Sequence, residues 1–223
     1  EAIDLRARLA VAKRPAVLKL LALTGLALLG PFAANTYLGV LLGSALGVTG
    51  APLAGVLMIF GLMGFGGSLF GGYGADHWPR ERFIAVILAV LIAAFALLSI
   101  GPLWGGFWGG AALIIGLSLW GLFGWAFPIT QQARLVSLDP PLAPITLSLN
   151  TSTLYLGAAI GSALGGFTIR QWSIGAVGWI AAASELAALA YLVTTDARLT
   201  FARSPRAERI PCPEEKPAEA AAA

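Results

Sequence analysis

Residues 20–42 read LLALTGLALLGPFAANTYLGVLL, and the chain continues from there to Ala75 without a single Asp, Glu, Lys or Arg. The same holds from Phe83 to Ala133 and from Pro140 to Ile169. About 20 consecutive apolar residues carry a helix across a bilayer, so these stretches together hold several crossings. Composition agrees: 58% of the 223 residues are hydrophobic and 11% are charged, against about 25% charged in soluble domains. Mean hydropathy is +0.83. Backbone groups in lipid must be satisfied within the protein, which leaves helices or a closed barrel. Barrel strands alternate polar and apolar residues, and these runs do not. The reading is an all-α membrane protein with six transmembrane helices.

The spans are expected at 17–42, 52–74, 83–101, 106–129, 144–169 and 173–194. Gly50-Ala51-Pro52, Gly101-Pro102 and Asp139-Pro140-Pro141 mark turns, because Pro cannot continue a helix and Gly frees the backbone. The expected organisation is a cytoplasmic basic linker at 1–15, a six-helix membrane domain at 16–196 and a disordered cytoplasmic tail at 197–223, rich in Pro, Glu, Arg and Ala. With the N-terminus inside, thirteen of the fourteen Lys and Arg lie inside and only Arg170 lies outside. That asymmetry orients the chain with both termini cytoplasmic. Trp104, Trp108 and Trp172 then fall at the outer interface, where amphipathic rings prefer to sit.

An internal repeat is visible. Phe70-Gly71-Gly72-Tyr73 has Trp78 six residues after Gly72, and Leu164-Gly165-Gly166-Phe167 has Trp172 six residues after Gly166. Each ends the second helix of a three-helix set, and the two helices run in opposite senses. The pattern predicts two inverted three-helix repeats, an arrangement common in transporters.

Some chemistry is excluded by count. One cysteine, Cys212, rules out an internal disulfide and a Cys-based metal cluster. One histidine, His77, rules out a multi-His site, so no metal is expected. The net charge of +3 belongs to inner loops rather than to a nucleic-acid surface. No set of residues suits covalent catalysis or a nucleotide phosphate loop, so no enzyme activity and no cofactor are expected. The chain opens on the charged residue Glu1 without a signal peptide, and reads as a piece of something longer.

The segment Gly72-Tyr-Gly-Ala-Asp76-His77-Trp-Pro79-Arg80-Glu81-Arg82 resembles the inner-loop signature of the major facilitator superfamily, G-x-x-x-D-R-x-G-R-[RK]. Gly72, Asp76 and Arg80 match, while His77, Pro79 and Glu81 depart from it. A degraded copy suits the second half of that fold. Leu149-Asn150-Thr-Ser-Thr-Leu-Tyr155-Leu-Gly157, followed by Gly161, Gly165 and Gly166, resembles the eleventh helix of the drug:proton antiporter and sugar-efflux branch. Gln131-Gln132-Ala-Arg134-Leu-Val resembles that branch's inner loop before it. The resemblance implies the C-terminal six-helix half of a secondary transporter in the plasma (inner) membrane. It implies a small amphipathic or drug- or sugar-like solute, efflux by alternating access, and an ion gradient, of protons, as energy source. The partner is the N-terminal six-helix half, or a second copy if the chain is a half-size protein that homodimerises. A non-transporting membrane scaffold or receptor-like subunit is a further alternative, and a membrane enzyme a third, although the catalytic polar clusters it needs are missing.

Candidate residues follow. Asp76 can bond the free N–H groups of a neighbouring helix end and Arg80 can pair with a carboxylate. With Gly72 and Arg134 they form the candidate gate, although a short inner loop also carries charge merely to set topology. The resemblance makes the first, second, fourth and fifth helices line the solute cavity. Asn35, Tyr37, Phe60, Met63, Trp120, Phe123, Asn150 and Tyr155 are the candidate solute contacts, an aromatic and thioether wall with sparse amides. Gly157, Gly161 and Gly165 recur every four residues and are read as a helix-packing face. Glu185 is the one acid expected within a span. A charge at mid-bilayer costs roughly 2.5–3.5 kcal/mol, so a proton-coupling role and a bonded scaffold role are both open.

Overall fold

The computed structural model describes residues 14–138 and 140–195. These form α1 (Pro15–Thr36), α2 (Leu38–Leu46), α3 (Ala51–His77), α4 (Arg80–Trp104), α5 (Gly106–Leu138), α6 (Ala143–Gln171) and α7 (Ala176–Thr195), with a 3-10 turn at Pro140–Leu142. The spans beginning at Pro15, Ala51, Arg80, Gly106, Pro140 and Ala176 are each long and apolar enough to cross a membrane. This is an all-α membrane protein. The leader before Arg14, the tail after Thr195, Asp139 and Cys212 lie outside the described residues.

Local chemistry sets the boundaries. Pro15, Pro52 and Pro144 sit in the first turns of α1, α3 and α6, where a missing N–H costs nothing. The turn between α4 and α5 is made by Gly105 and Gly106, both at positive φ (62° and 52°). A side chain there is disfavoured, so two glycines allow the chain to reverse in two residues.

Three expectations on boundaries are corrected. The first span is not one helix over 17–42: it breaks at Tyr37, with φ −112° and ψ 12°. The Tyr37 ring lies over Gly165 and Gly166 of α6, and its hydroxyl donates to the Ser162 carbonyl at 3.4 Å. The inner loop expected at 75–82 shrinks to Trp78 and Pro79, because α3 runs on through His77 and α4 starts at Arg80. The loop expected at 130–143 is mostly helix. α5 continues nine residues past 129 to Leu138, because its last turns stay packed, with Thr130, Gln131, Arg134 and Leu135 buried.

The main packing pairs are α3 with α5, α4 with α5, α1 with α6, α4 with α7 and α1 with α7. Exchanging the first three spans with the last three maps this set of pairs onto itself, as an inverted repeat requires. The contacts agree at residue level. A Cβ on Gly67 of α3 would collide with the Leu122 carbonyl of α5, and one on Gly161 of α6 with the Leu29 carbonyl of α1. One turn on, a Cβ on Gly71 would lie 2.7 Å from Ala126 Cα, and one on Gly165 2.8 Å from the Ala33 carbonyl oxygen. Lipid tails are as apolar as side chains, so helices associate by close backbone packing, which these glycines permit.

The core sits around α4, whose Ile84, Ile87, Leu88, Leu91, Phe95 and Leu98 are buried between α5 and α7. Behind it α7 approaches closely, with Ser99 donating to the Gly175 carbonyl at 2.8 Å. α4 and α7 thus form the back of the bundle and leave α1, α3, α5 and α6 to shape its front.

Candidate functional site

Two prolines lie inside spans that the repeat makes equivalent: Pro31 in α1 and Pro128 in α5. Each removes the helical donor to the carbonyl four residues earlier, Ala27 and Gly124 respectively. Both prolines line one cavity of about 300 Å³, together with Phe32 and Asn35 of α1, Phe60 of α3, Trp120, Gly124 and Trp125 of α5 and Leu154 of α6. Phe60 packs on Trp120 at a ring-centroid distance of 4.8 Å, and Trp120 packs on Phe95 of the core at 5.0 Å. The wall is therefore anchored aromatic surface. Asn35 is exposed and is the one amide on it.

A second feature interrupts α1 beside Pro31. The Gly30 N–H donates to Ser184 Oγ of α7 at 3.1 Å, and Ser184 Oγ donates to the Leu26 carbonyl at 2.6 Å. Residues 26 and 30 are partners in a helical ladder, so the Ser184 hydroxyl of α7 bridges both of their backbone groups. Only Gly fits here, since a Cβ on Gly30 would stand 2.6 Å from Ala181 Cα. The next residue of α7, Glu185, is fully buried, and among the described residues neither carboxylate oxygen has a hydrogen-bond partner.

Toward the end where α1 starts and α7 finishes, a buried network joins three helices. Thr24 Oγ1 donates to Asn150 Oδ1 at 2.8 Å and accepts from Gln131 Nε2 at 3.2 Å, and Gln131 Nε2 also donates to the Leu20 carbonyl at 2.8 Å. Gln131 Oε1 is buried without a partner. Below it, a cavity of about 540 Å³ is lined by Lys19, Glu81, Arg134 and Tyr191, among others. Arg134 Nε lies 3.6 Å from Glu81 Oε1.

The sequence-predicted solute contacts separate. Asn35, Phe60 and Trp120 meet at the 300 Å³ cavity. Tyr37 sits against Gly165 and Gly166, and Met63 faces Gly121 of α5. Phe123 belongs to an edge-on aromatic cluster with Phe70, Trp78 and Phe83. Asn150 is buried in the three-helix network, and Tyr155 is 69% exposed on α6. Among the gate candidates, Gly72 has open space around it, and Asp76 is exposed on the last turn of α3. Among the described residues Arg80 reaches no carboxylate: its Nε donates to the Ala75 carbonyl at 3.0 Å and closes the end of α3. Arg134 is on α5 rather than in a loop, and is the gate candidate that pairs with an acid. Gly157, Gly161 and Gly165 all face α1.

Trp125, Pro128, Thr24 and Ser184 were missed by reasoning from the sequence. Pro128 had a signal, since it interrupts the fourth span much as Pro31 interrupts the first. Ser184 and Thr24 had none, because a lone hydroxyl in a span satisfies itself on its own helix as readily as it bridges.

No family model matches the chain. It is 30% identical over 187 residues to the uncharacterized MFS-type transporter YbcL of Bacillus subtilis, a match covering 84% of this chain and 47% of that protein. It is 31% identical over 190 residues to the transcription regulatory protein OpdE of Pseudomonas aeruginosa, covering 85% of this chain and 45% of that one. The chain thus spans about half the length of the relatives it matches. It is a multi-pass membrane protein, and its resemblance to the major facilitator superfamily rests on a relative of that type as well as on its own motifs.

Proposed function

We propose that this chain is the C-terminal six-helix half of a major facilitator superfamily transporter, and that with an N-terminal half it exports a small solute by alternating access. The observation that carries this reading is the cavity flanked by Pro31 and Pro128. Interrupted helices in corresponding positions of two inverted repeats are where transporters bind solute. The name of the Bacillus subtilis relative supports the family, and the inner-loop residues Gly72, Asp76 and Arg80 support it independently. In this reading the plasma membrane holds the chain with both termini cytoplasmic, and a proton gradient drives export. The gate is the inner end, where Asp76 and the Glu81–Arg134 pair gather. A scaffold without transport would leave the paired prolines without a purpose.

The test is cysteine accessibility in the full-length protein. Single cysteines at Phe32 and Trp125 should react with a membrane-impermeant reagent from one side in one state and from the other side in the second. Reactivity confined to one side under every ion gradient and solute tried would remove the transport reading.

A further inference from the structure

We propose that the 300 Å³ cavity takes an uncharged aromatic solute with one hydrogen-bond donor, of the phenol or indole class, and that it rejects sugars and ions. This rests on the transport reading for the site's purpose, but the chemistry of the wall carries it. Phe32, Phe60, Trp120 and Trp125 supply four aromatic side chains, and rings of this kind stack offset or edge-on with a planar guest. Among the described residues, no Asp, Glu, Lys, Arg or His lines the cavity. A charged guest would lose its water without gaining a counter-charge, which is the costliest transfer available to a solute. A sugar would lose water from many hydroxyls at once, and a wall with so few polar groups cannot replace those bonds.

Two acceptors remain for a single donor. Asn35 is exposed on the wall, and no hydrogen bond occupies its side-chain amide among the described residues. The Gly124 carbonyl is the one whose helical donor Pro128 lacks, and both residues line the cavity. An indole N–H or phenol O–H inserted between α1 and α5 meets an amide oxygen from one helix and a freed carbonyl from the other. Trp120 and Trp125 offer N–H donors only, so a guest with acceptors alone would leave both of these oxygens unmatched. The cavity volume lies at the small end of the range for sites that hold small organic ligands, about 300–1,000 Å³. This suits a one- or two-ring guest.

The experiment is calorimetric binding to the full-length protein in lipid nanodiscs, with empty nanodiscs as blank. The probes are 2-naphthol, 2-methoxynaphthalene, 2-naphthoate and glucose. 2-Naphthol should bind. 2-Methoxynaphthalene, which has the rings but no donor, should bind at least about tenfold more weakly, and 2-naphthoate and glucose should show no binding. Asn35→Leu, at an exposed position, should weaken 2-naphthol several-fold yet leave it tighter than 2-methoxynaphthalene, because the Gly124 carbonyl still accepts its donor. Binding of glucose or 2-naphthoate as tight as 2-naphthol overturns the proposal, as does unchanged 2-naphthol affinity in Asn35→Leu or no binding of 2-naphthol at all. The accessibility assay above separates this outcome from the transport reading. A protein that alternates but prefers glucose loses only the solute class, and one that binds 2-naphthol without alternating loses only transport.

Discussion

Ser184 stands in the backbone ladder of α1, accepting the Gly30 N–H at 3.1 Å while donating to the Leu26 carbonyl at 2.6 Å. With Pro31 immediately following, two consecutive ladder positions of α1 are altered beside the cavity. The backbone of the first span is thus bridged by α7, a helix that does not line the cavity. Removing the hydroxyl lets Gly30 and Leu26 pair directly. Ser184→Ala should therefore release that turn of α1 from α7 and change the distance between spin labels at Leu18 and Val40, both exposed. Ser184→Thr should retain the wild-type distance. The stability change should be small, about 0.6 kcal/mol and at most ~1.7, as for hydrogen bonds between membrane helices. An unchanged label distance in Ser184→Ala would remove the wedge role.

Gly161 and Gly72 make a matched pair for testing the packing face. A Cβ on Gly161 meets the Leu29 backbone carbonyl, whereas one on Gly72 meets nothing within 4 Å. Gly161→Leu should cost about 1–3 kcal/mol through overpacking, and even Gly161→Ala should destabilise. Gly72→Ala should be neutral or slightly stabilising, since Ala favours helix over Gly. Unfolding in graded SDS reports the order, and equal midpoints for Gly161→Ala and Gly72→Ala would show that the α1–α6 contact yields.

The buried network makes an unequal prediction for its members. Thr24→Val strips Asn150 of its partner in a buried site, which costs about 1–3 kcal/mol. Gln131→Leu also removes an acceptor, Oε1, that has no partner, so its loss should be smaller than that of Thr24→Val. A double-mutant cycle between Thr24→Val and Asn150→Leu should give a favourable coupling. Coupling near zero would mean that the two groups meet without holding the helices.

Asp76 and Glu81 separate gate from topology. Asp76→Asn keeps shape and removes a charge that acts at helix ends on a scale of about 0.3–1 kcal/mol. That shifts a two-state ratio several-fold. Flux by the full-length protein should fall at normal expression. Glu81→Gln weakens a contact to Arg134, which is 8% exposed, and should also alter flux, to a different extent. Small and equal effects from both would leave the acids as ordinary loop charge.

Orientation is tested by labelling single cysteines in a Cys212→Ser background. Glu81 and Ser137 line one cavity and so lie at one end of the bundle. Both should label from the cytoplasmic side only, and Leu103 and Phe107, 78% and 80% exposed near the outer turn, should label from outside. The reverse pattern would invert the topology.

The sequence by itself determined the number of spans, their helical nature and their pairing as inverted repeats. These depend on the length of uncharged runs and on small-residue spacing, both properties of local chain order. Span ends were less legible. α5 runs on to Leu138 because Gln131 and Arg134 are themselves buried against neighbouring helices, and polarity alone marked them as loop. The first span breaks at Tyr37 because its ring has a glycine surface on α6 to lie against, which is a contact across 125 residues of chain. The candidate site divided the same way. Asn35, Phe60 and Trp120 were legible as wall residues, because helix faces repeat predictably. Met63, Phe123 and Asn150 carry the same chemistry, yet tertiary packing turned them toward Gly121, Phe70 and Thr24. Residue type tells what a side chain can bind, but the rotation of each helix against its neighbours decides what it meets. That rotation is set here by where glycines let two backbones touch.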